Sequence, residues 1–209
     1  ICKSDCMDGP CGEVGCTADC GTDCPSICPP CNAGQTCFDG VCGTPPHHIW
    51  SASLVGDDYD AGYKIAADGD GNAYVLGFFK GPTIFATSDP AGTSMVNAGD
   101  LDMFLVKYGS DGSIAWTKGI GGAGLDNPAG IVVDQGGNTY VVGSIDGSQM
   151  MAGNDLDAYG SNDIFMAKFS PSGEEIWAST FGTEAQEYAR GIAISPGGTV
   201  YVAGRFMGT

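Results

Sequence analysis

The sequence predicts an all-β fold made of repeated four-stranded antiparallel units. One pattern of residues occurs three times, at 65–77, 131–143 and 192–204, with offsets of 66 and 61 residues. Trp50, Trp116 and Trp177 keep the same two offsets. A repeat of this length, built of short β segments, is typical of stacked or radial β architectures. The 35 glycines of the 209-residue chain fit many tight turns.

Each unit is predicted to contain four strands, called a, b, c and d in chain order. Strands a and b flank a turn of Gly, Asp and Asn, which suits a tight hairpin. Strand c carries the pattern Asp-x-Phe-x-x-Lys, beginning at Asp102 and Asp163, and strand d carries the tryptophan. The segments are rich in β-branched and aromatic residues, the strand signature. The predicted order is d 49–54, abcd 62–120, abcd 128–181 and ab 189–206.

This order amounts to about 2.75 units, whereas roughly four to eight close a ring. An open stack leaves unpaired strand edges. Three explanations stay open: the chain is a fragment of a longer protein, the units are completed between chains, or partners cap the stack. The recurring tyrosines and tryptophans are expected to pack between neighbouring units, because every unit must bury the same face.

The N-terminal residues 1–43 form a cysteine-rich module, followed by a predicted linker at 44–48 and the repeat region at 49–209. An even, dense cysteine cluster is typical of a disulfide framework in an oxidising compartment. Zinc coordination is the alternative, and the lack of histidine in the module argues against it. The pairing stays open. The predicted disulfide residues are Cys2, Cys6, Cys11, Cys16, Cys20, Cys24, Cys28, Cys31, Cys37 and Cys42.

The charge balance excludes some classes of partner. The chain has 25 acidic and 8 basic residues, a formal charge of −17. A surface this acidic repels nucleic acid and anionic lipid, so no nucleic-acid partner is expected. No apolar run approaches the roughly 18 residues of a membrane span, so no transmembrane segment is expected. The chain begins with Ile1, which fits a removed leader or a trimmed sequence.

The first a–b turn is a candidate metal site. Asp68, Asp70 and Asn72 alternate along the chain as the oxygen ligands of calcium loops do. The equivalent turn of the second unit keeps only Asp134 and Asn138. The alternative is a hairpin turn in which Asx side chains bond their own backbone. Calcium is the only cofactor that the sequence indicates.

The units resemble the bacterial SBBP β-propeller repeat. The pattern of that repeat is present here at residues 131–143, 163–168 and 177–182. The third copy departs from it at Ser195 and Thr199, where the pattern has Asp and Asn. The resemblance covers residues 49–206 and implies four-stranded propeller blades in a secreted or surface protein. It implies no single activity, because function depends on sites and not on folds.

The predicted function is a non-catalytic structural, adhesive or assembly module of the bacterial exterior, secreted or at the cell surface. Its expected partners are other copies of itself or other surface proteins. No enzyme activity is expected, since the two histidines sit together at His47 and His48. One alternative is a carbohydrate-binding module, with Tyr59, Tyr63 and Tyr188 near equivalent d–a connections. The other is a non-catalytic region of a larger secreted enzyme.

Overall fold

The chain divides into two compact parts, Ile1–His48 and Ile49–Thr209. The computed structural model describes residues 36–38, 41–43, 49–56, 58–86, 93–151 and 153–207. In the first part, β1 (Thr36–Phe38) pairs antiparallel with β2 (Val41–Gly43), with Cys37 opposite Cys42. The other predicted disulfide cysteines lie outside the described residues. The disulfide framework therefore stays a prediction.

Every regular element of the second part, as far as the structure describes it, is a β-strand. The strands are β3 (Ser53–Gly56), β4 (Ala61–Ala67), β5 (Ala73–Phe79), β6 (Thr83–Ala86), β7 (Thr93–Met95), β8 (Asp102–Tyr108), β9 (Ile114–Ile120), β10 (Asn127–Val133), β11 (Thr139–Ile145), β12 (Ser148–Met151), β13 (Asn154–Asp157), β14 (Asp163–Phe169), β15 (Glu175–Phe181), β16 (Gln186–Ile194) and β17 (Val200–Met207). No helix among the described residues has the length and apolar character of a membrane span.

Two four-stranded antiparallel sheets confirm the predicted order of strands a to d. Repeat unit 1 has the order β4-β5-β8-β9, and repeat unit 2 has the order β10-β11-β14-β15. Strands β16 and β17 pair as the a and b strands of repeat unit 3. The all-β prediction is thus confirmed at the level of its antiparallel four-stranded units.

The structure differs from the prediction at the first strand d and in the b–c connections. The strand expected at 49–54 is instead β3, which begins at Ser53 and pairs with β6 in a sheet of order β3-β6-β7. Strands β6 and β7 lie in the b–c connection of unit 1, and the β12–β13 hairpin lies in that of unit 2.

The core lies between consecutive units. Tyr74, Leu76 and Leu105 of unit 1 pack in one buried cluster with Val141 and Phe165 of unit 2. The opposite face of unit 1 forms a second cluster around Phe104 and Val106, and the outer face of unit 2 packs against β16. Strand β11 is buried along its whole length. Consecutive units therefore stack face to face.

Candidate functional site

A groove of about 360 Å³ crosses the first strands of all three repeat units. We call it the strand-a groove. Residues from strands a and b form its walls, so it depends on the stacking of the units. Its lining residues are Tyr63, Phe78, Asn127, Pro128, Ala129, Ser144, Tyr188, Ala189 and Arg190.

The same β-bulge occurs in strand a of each unit and opens onto this groove. The pairing register of strands a and b shifts around Tyr63 in unit 1, Ala129 in unit 2 and Arg190 in unit 3. These three positions keep the repeat offsets of 66 and 61 residues. A bulge leaves one residue out of the ladder and re-aims its side chain. All three bulge residues line the groove.

A second set of equivalent positions, on strand b, completes the groove. Phe78 pairs with Ala61 in unit 1, and Ser144 pairs with Asn127 at the same place in unit 2. The buried Ser144 hydroxyl accepts the backbone N–H of Ala189 at 3.1 Å. This hydrogen bond fixes unit 3 against unit 2 beside the groove.

Aromatic side chains of units 1 and 3 line the groove. The ring of Tyr63 lies 6.4 Å from that of Phe78, and the ring of Tyr59 lies 5.2 Å from Phe78 on another side. Tyr63 is about half exposed. Tyr188 comes from unit 3, is half-buried, and donates its hydroxyl to Gln186 Oε1 at 3.3 Å. Two of the three tyrosines named from the sequence thus line one groove, and Tyr59 supports its wall.

Two basic side chains accompany these rings in a strongly acidic chain. The Arg190 guanidinium lies 5.9 Å from the Tyr188 ring, and Lys64 Nζ lies 4.7 Å from the Tyr63 ring. The salt bridge found among the described residues joins Lys80 and Asp100. Arg190 therefore forms no salt bridge with a carboxylate in that part of the chain. Its guanidinium donors are available to a ligand. Exposed rings beside free donors can bind a sugar by stacking and hydrogen bonding.

Sequence reasoning missed Phe78, Ser144 and Arg190. A comparison of the three copies position by position would have identified them, because within strands a and b the copies differ at these positions. The bulge position is Tyr63, Ala129 or Arg190, whereas the strand-b tyrosine recurs in every copy. A residue that recurs in every copy is needed for the packing of each unit. An exposed position whose residue differs between the copies is free to contact a ligand.

The candidate calcium turn is held by hydrogen bonds within the protein. Asp68 Oδ1 accepts the backbone N–H groups of Asp70 and Asn72, each at 3.0 Å. Its Oδ2 accepts Asn72 Nδ2 at 2.8 Å and the Tyr74 hydroxyl at 2.9 Å. Burial alone would raise the pKa of Asp68, but these hydrogen bonds outweigh it and lower the pKa.

The same network recurs in unit 2, which favours a turn over a metal site. Asp134 accepts the backbone N–H groups of Gly136 and Asn138 at 2.9 Å and the Tyr140 hydroxyl at 3.3 Å. Among the described residues no group of three or more His, Cys, Asp or Glu side chains is placed to hold a metal ion. Calcium binding by the Asp68 turn stays a prediction for calorimetry.

Carboxylates, buried in units 2 and 3 and half-buried in unit 1, secure the start of strand a in each unit. Asp126 accepts the backbone N–H of Gly122 at 2.8 Å and that of Asp146 at 3.1 Å. Asp60 and Glu187 hold the equivalent positions and also accept backbone N–H groups. Burial raises the pKa of Asp126 to about 6, with the two hydrogen bonds opposing the rise. These carboxylates position strand a and do not line the groove.

Comparison with known proteins indicates a repeat protein. No family model matches the chain. It is 23% identical over 189 residues to an uncharacterized WD repeat-containing protein of Acanthamoeba polyphaga mimivirus. It is 27% identical over 169 residues to the regulatory protein FlaEY of Caulobacter vibrioides. These matches cover 77% and 78% of the chain but 13% and 17% of the two relatives. The likeness to a WD repeat protein agrees with the repeated β structure.

Proposed function

We propose that the chain is a non-catalytic adhesive module that holds a carbohydrate in the strand-a groove. The observation that carries this proposal is the convergence of Tyr63, Tyr188 and Arg190, from units 1 and 3, on one groove. We further propose that the module is secreted or exposed at a bacterial surface. The cysteine-rich sequence of residues 1–43, which predicts a disulfide framework, and the resemblance to SBBP repeats support that location.

We also propose that the repeat units are propeller blades. Their face-to-face stacking and the likeness to a WD repeat-containing protein support this. In a propeller the first strand of each blade lies nearest the central channel. The strand-a groove would then be the wall of that channel, a common place for a ligand to bind.

The proposed ligand is a carbohydrate with a carboxylate group, which Arg190 attracts locally at the groove although the chain as a whole is acidic. The faces of Tyr63 and Tyr188 provide apolar surfaces for sugar rings, which stack through their C–H groups. The guanidinium of Arg190, with no carboxylate partner among the described residues, can pair with a sugar acid. The buried carboxylates Asp126 and Glu187 are engaged by backbone N–H groups, which supports a binding role over glycoside hydrolysis.

An oligosaccharide array tests this proposal, with neutral and uronic-acid chains side by side. We expect binding to uronic-acid chains, a loss of at least tenfold in affinity with Tyr63→Ala or Tyr188→Ala, and selective loss of acidic sugars with Arg190→Gln. Tyr159→Ala is the matched control, because Tyr159 is exposed and lies outside the groove lining. Binding that Tyr159→Ala and Tyr63→Ala weaken equally, or no binding at all, would contradict the proposal.

A further inference from the structure

Asn127 brings a side-chain amide into the strand-a groove. It lies at the start of β10, the strand a of unit 2, and β10 contacts strand a of both neighbouring units. The strand-pairing registers place Ala61 of unit 1 and Tyr188 of unit 3 at the equivalent position. Of the three repeat units, only unit 2 therefore presents an amide at this place in the groove.

Unit 2 keeps the groove low around this amide. Its bulge residue is Ala129, whereas the bulge residues of units 1 and 3 are the much larger Tyr63 and Arg190. Ala129 and its neighbour Pro128 are both buried and apolar, and both line the groove. They form a floor on which an apolar face of a sugar ring can lie, beside the polar group of Asn127.

The Asn127 amide is available to a ligand. Two other asparagines of the repeat use their amides inside the protein: Asn72 donates to Asp68 Oδ2 at 2.8 Å, and Asn138 donates to Asp134 Oδ2 at 2.9 Å. The Asn127 side chain makes no hydrogen bond within the part of the chain that the structure describes, and the residue is half-buried. Its two donors and its acceptor oxygen therefore remain for a molecule in the groove.

The backbone that carries this amide is fixed on both sides. The preceding residue, Asp126, donates its backbone N–H to the Leu101 carbonyl at 2.7 Å. The following residue, Pro128, restricts Asn127 to extended backbone conformations. The Asn127 carbonyl also lies close against Gly143, where an added Cβ would be 2.5 Å from that oxygen. Binding thus has to order only the side-chain torsions of Asn127, which keeps its entropic cost low.

We propose that Asn127 determines the specificity of the strand-a groove by binding two adjacent hydroxyl groups of one sugar ring. This inference rests on the proposed function, carbohydrate binding in that groove. Asn127 Oδ1 accepts a hydrogen bond from one hydroxyl, and Nδ2 donates to the other. The ring lies over Ala129 and Pro128 while Arg190 pairs with the carboxylate. A sugar without these hydroxyls leaves the amide without partners, so the groove discriminates against it.

The test is calorimetric titration of the full chain with a tetrasaccharide of galacturonic acid and with an analogue that lacks the C2 and C3 hydroxyls. We expect the analogue to bind the unchanged chain roughly tenfold more weakly, because two hydrogen bonds are lost. Asn127→Ala should weaken binding of the tetrasaccharide by a similar factor and should bind the two sugars equally. Losses that do not add in this way are the signature of a direct contact.

Asn162→Ala is the matched control, because Asn162 is also half-buried but lies outside the groove lining. It should bind both sugars like the unchanged chain. Equal binding of the two sugars by the unchanged chain would overturn the role of Asn127, and so would tetrasaccharide binding that Tyr63→Ala weakens and Asn127→Ala does not. Either result would leave carbohydrate binding by the groove in place. Absence of tetrasaccharide binding by the unchanged chain would overturn both this inference and the proposed function.

Discussion

Trp116 of repeat unit 1 donates its indole N–H to the backbone carbonyl of Pro171 in unit 2, at 3.0 Å. Its ring also covers the left-handed Gly173 of the same turn, where an added Cβ would lie 2.8 Å from Trp116 Cδ2. Trp50 covers Gly112 in unit 1 in the same way. The recurring tryptophan and the recurring turn glycine therefore form one contact that joins consecutive units.

Replacing this glycine should destabilise the fold more than replacing a glycine with open space. Gly173→Ala combines a positive φ of 83° with a clash against the Trp116 ring, so we expect about 2–4 kcal/mol of lost stability. Gly147→Ala is the control, with a φ of 86° and no neighbouring atom within 4 Å, and should cost about 1–2 kcal/mol. Urea unfolding measures both, and equal costs would contradict a packing role for Trp116.

The turn at Asp68 should behave as a structural element. Asp68→Ala leaves Asn72 and the Tyr74 hydroxyl without their acceptor, and we expect a loss of about 1–3 kcal/mol. Asp70→Ala should cost little, since only the backbone N–H of Asp70 takes part in the network. Melting temperatures of the unchanged chain and of Asp70→Ala, each measured with calcium and with a chelator, test for calcium binding. A calcium-dependent rise in melting temperature that Asp70→Ala removes would show that the turn is a calcium site.

Stability should fall as pH rises through the titration of Asp126. Its pKa of about 6 in the folded chain lies above its ordinary value of 3.8, so the folded chain binds this proton more tightly than the unfolded chain. The contribution is full below pH 4 and lost as pH rises past 6, on the order of 3 kcal/mol. Burial also raises the pKa of Asp102, which acts in the same direction.

Carbon-detected NMR of the Asp126 carboxyl measures its pKa directly, and urea unfolding between pH 4 and 7 measures the loss of stability. Asp126→Asn should flatten the pH dependence over this range, whereas the exposed Asp155→Asn should leave it unchanged. Titration of Asp126 below pH 4.5 would contradict its placement as a buried carboxylate.

The strands of units 1 and 2 were predictable because their residues recur at fixed offsets. Every copy must bury the same faces, so β5 and β11 share tyrosine and glycine at matching places. The strands of the b–c connections, β6, β7, β12 and β13, were not predicted. Their sequences do not recur between units. Their pairing also involves strands that are distant in the sequence, as when β3 pairs with β6.

The candidate site was predictable only in part. Tyr63 and Tyr188 were identified, with Tyr59, as aromatic residues near equivalent d–a connections, and both line the groove. Arg190 was not, because a bulge displaces one residue from the alternation of inward and outward side chains on which strand prediction relies. Phe78 was missed because only the residues of strand b that recur in every copy were considered, and the equivalent of Phe78 in unit 2 is Ser144.

The most direct measurement is an NMR titration of the ¹⁵N-labelled chain with a uronic-acid oligosaccharide, followed residue by residue. Binding in the strand-a groove should shift the amide signals of Tyr63, Ser144, Tyr188 and Arg190 together, with one dissociation constant, and leave those of Tyr159 and Tyr201 unchanged. The absence of shifts, or shifts centred on β17 or on the Asp68 turn, would contradict carbohydrate binding by the groove.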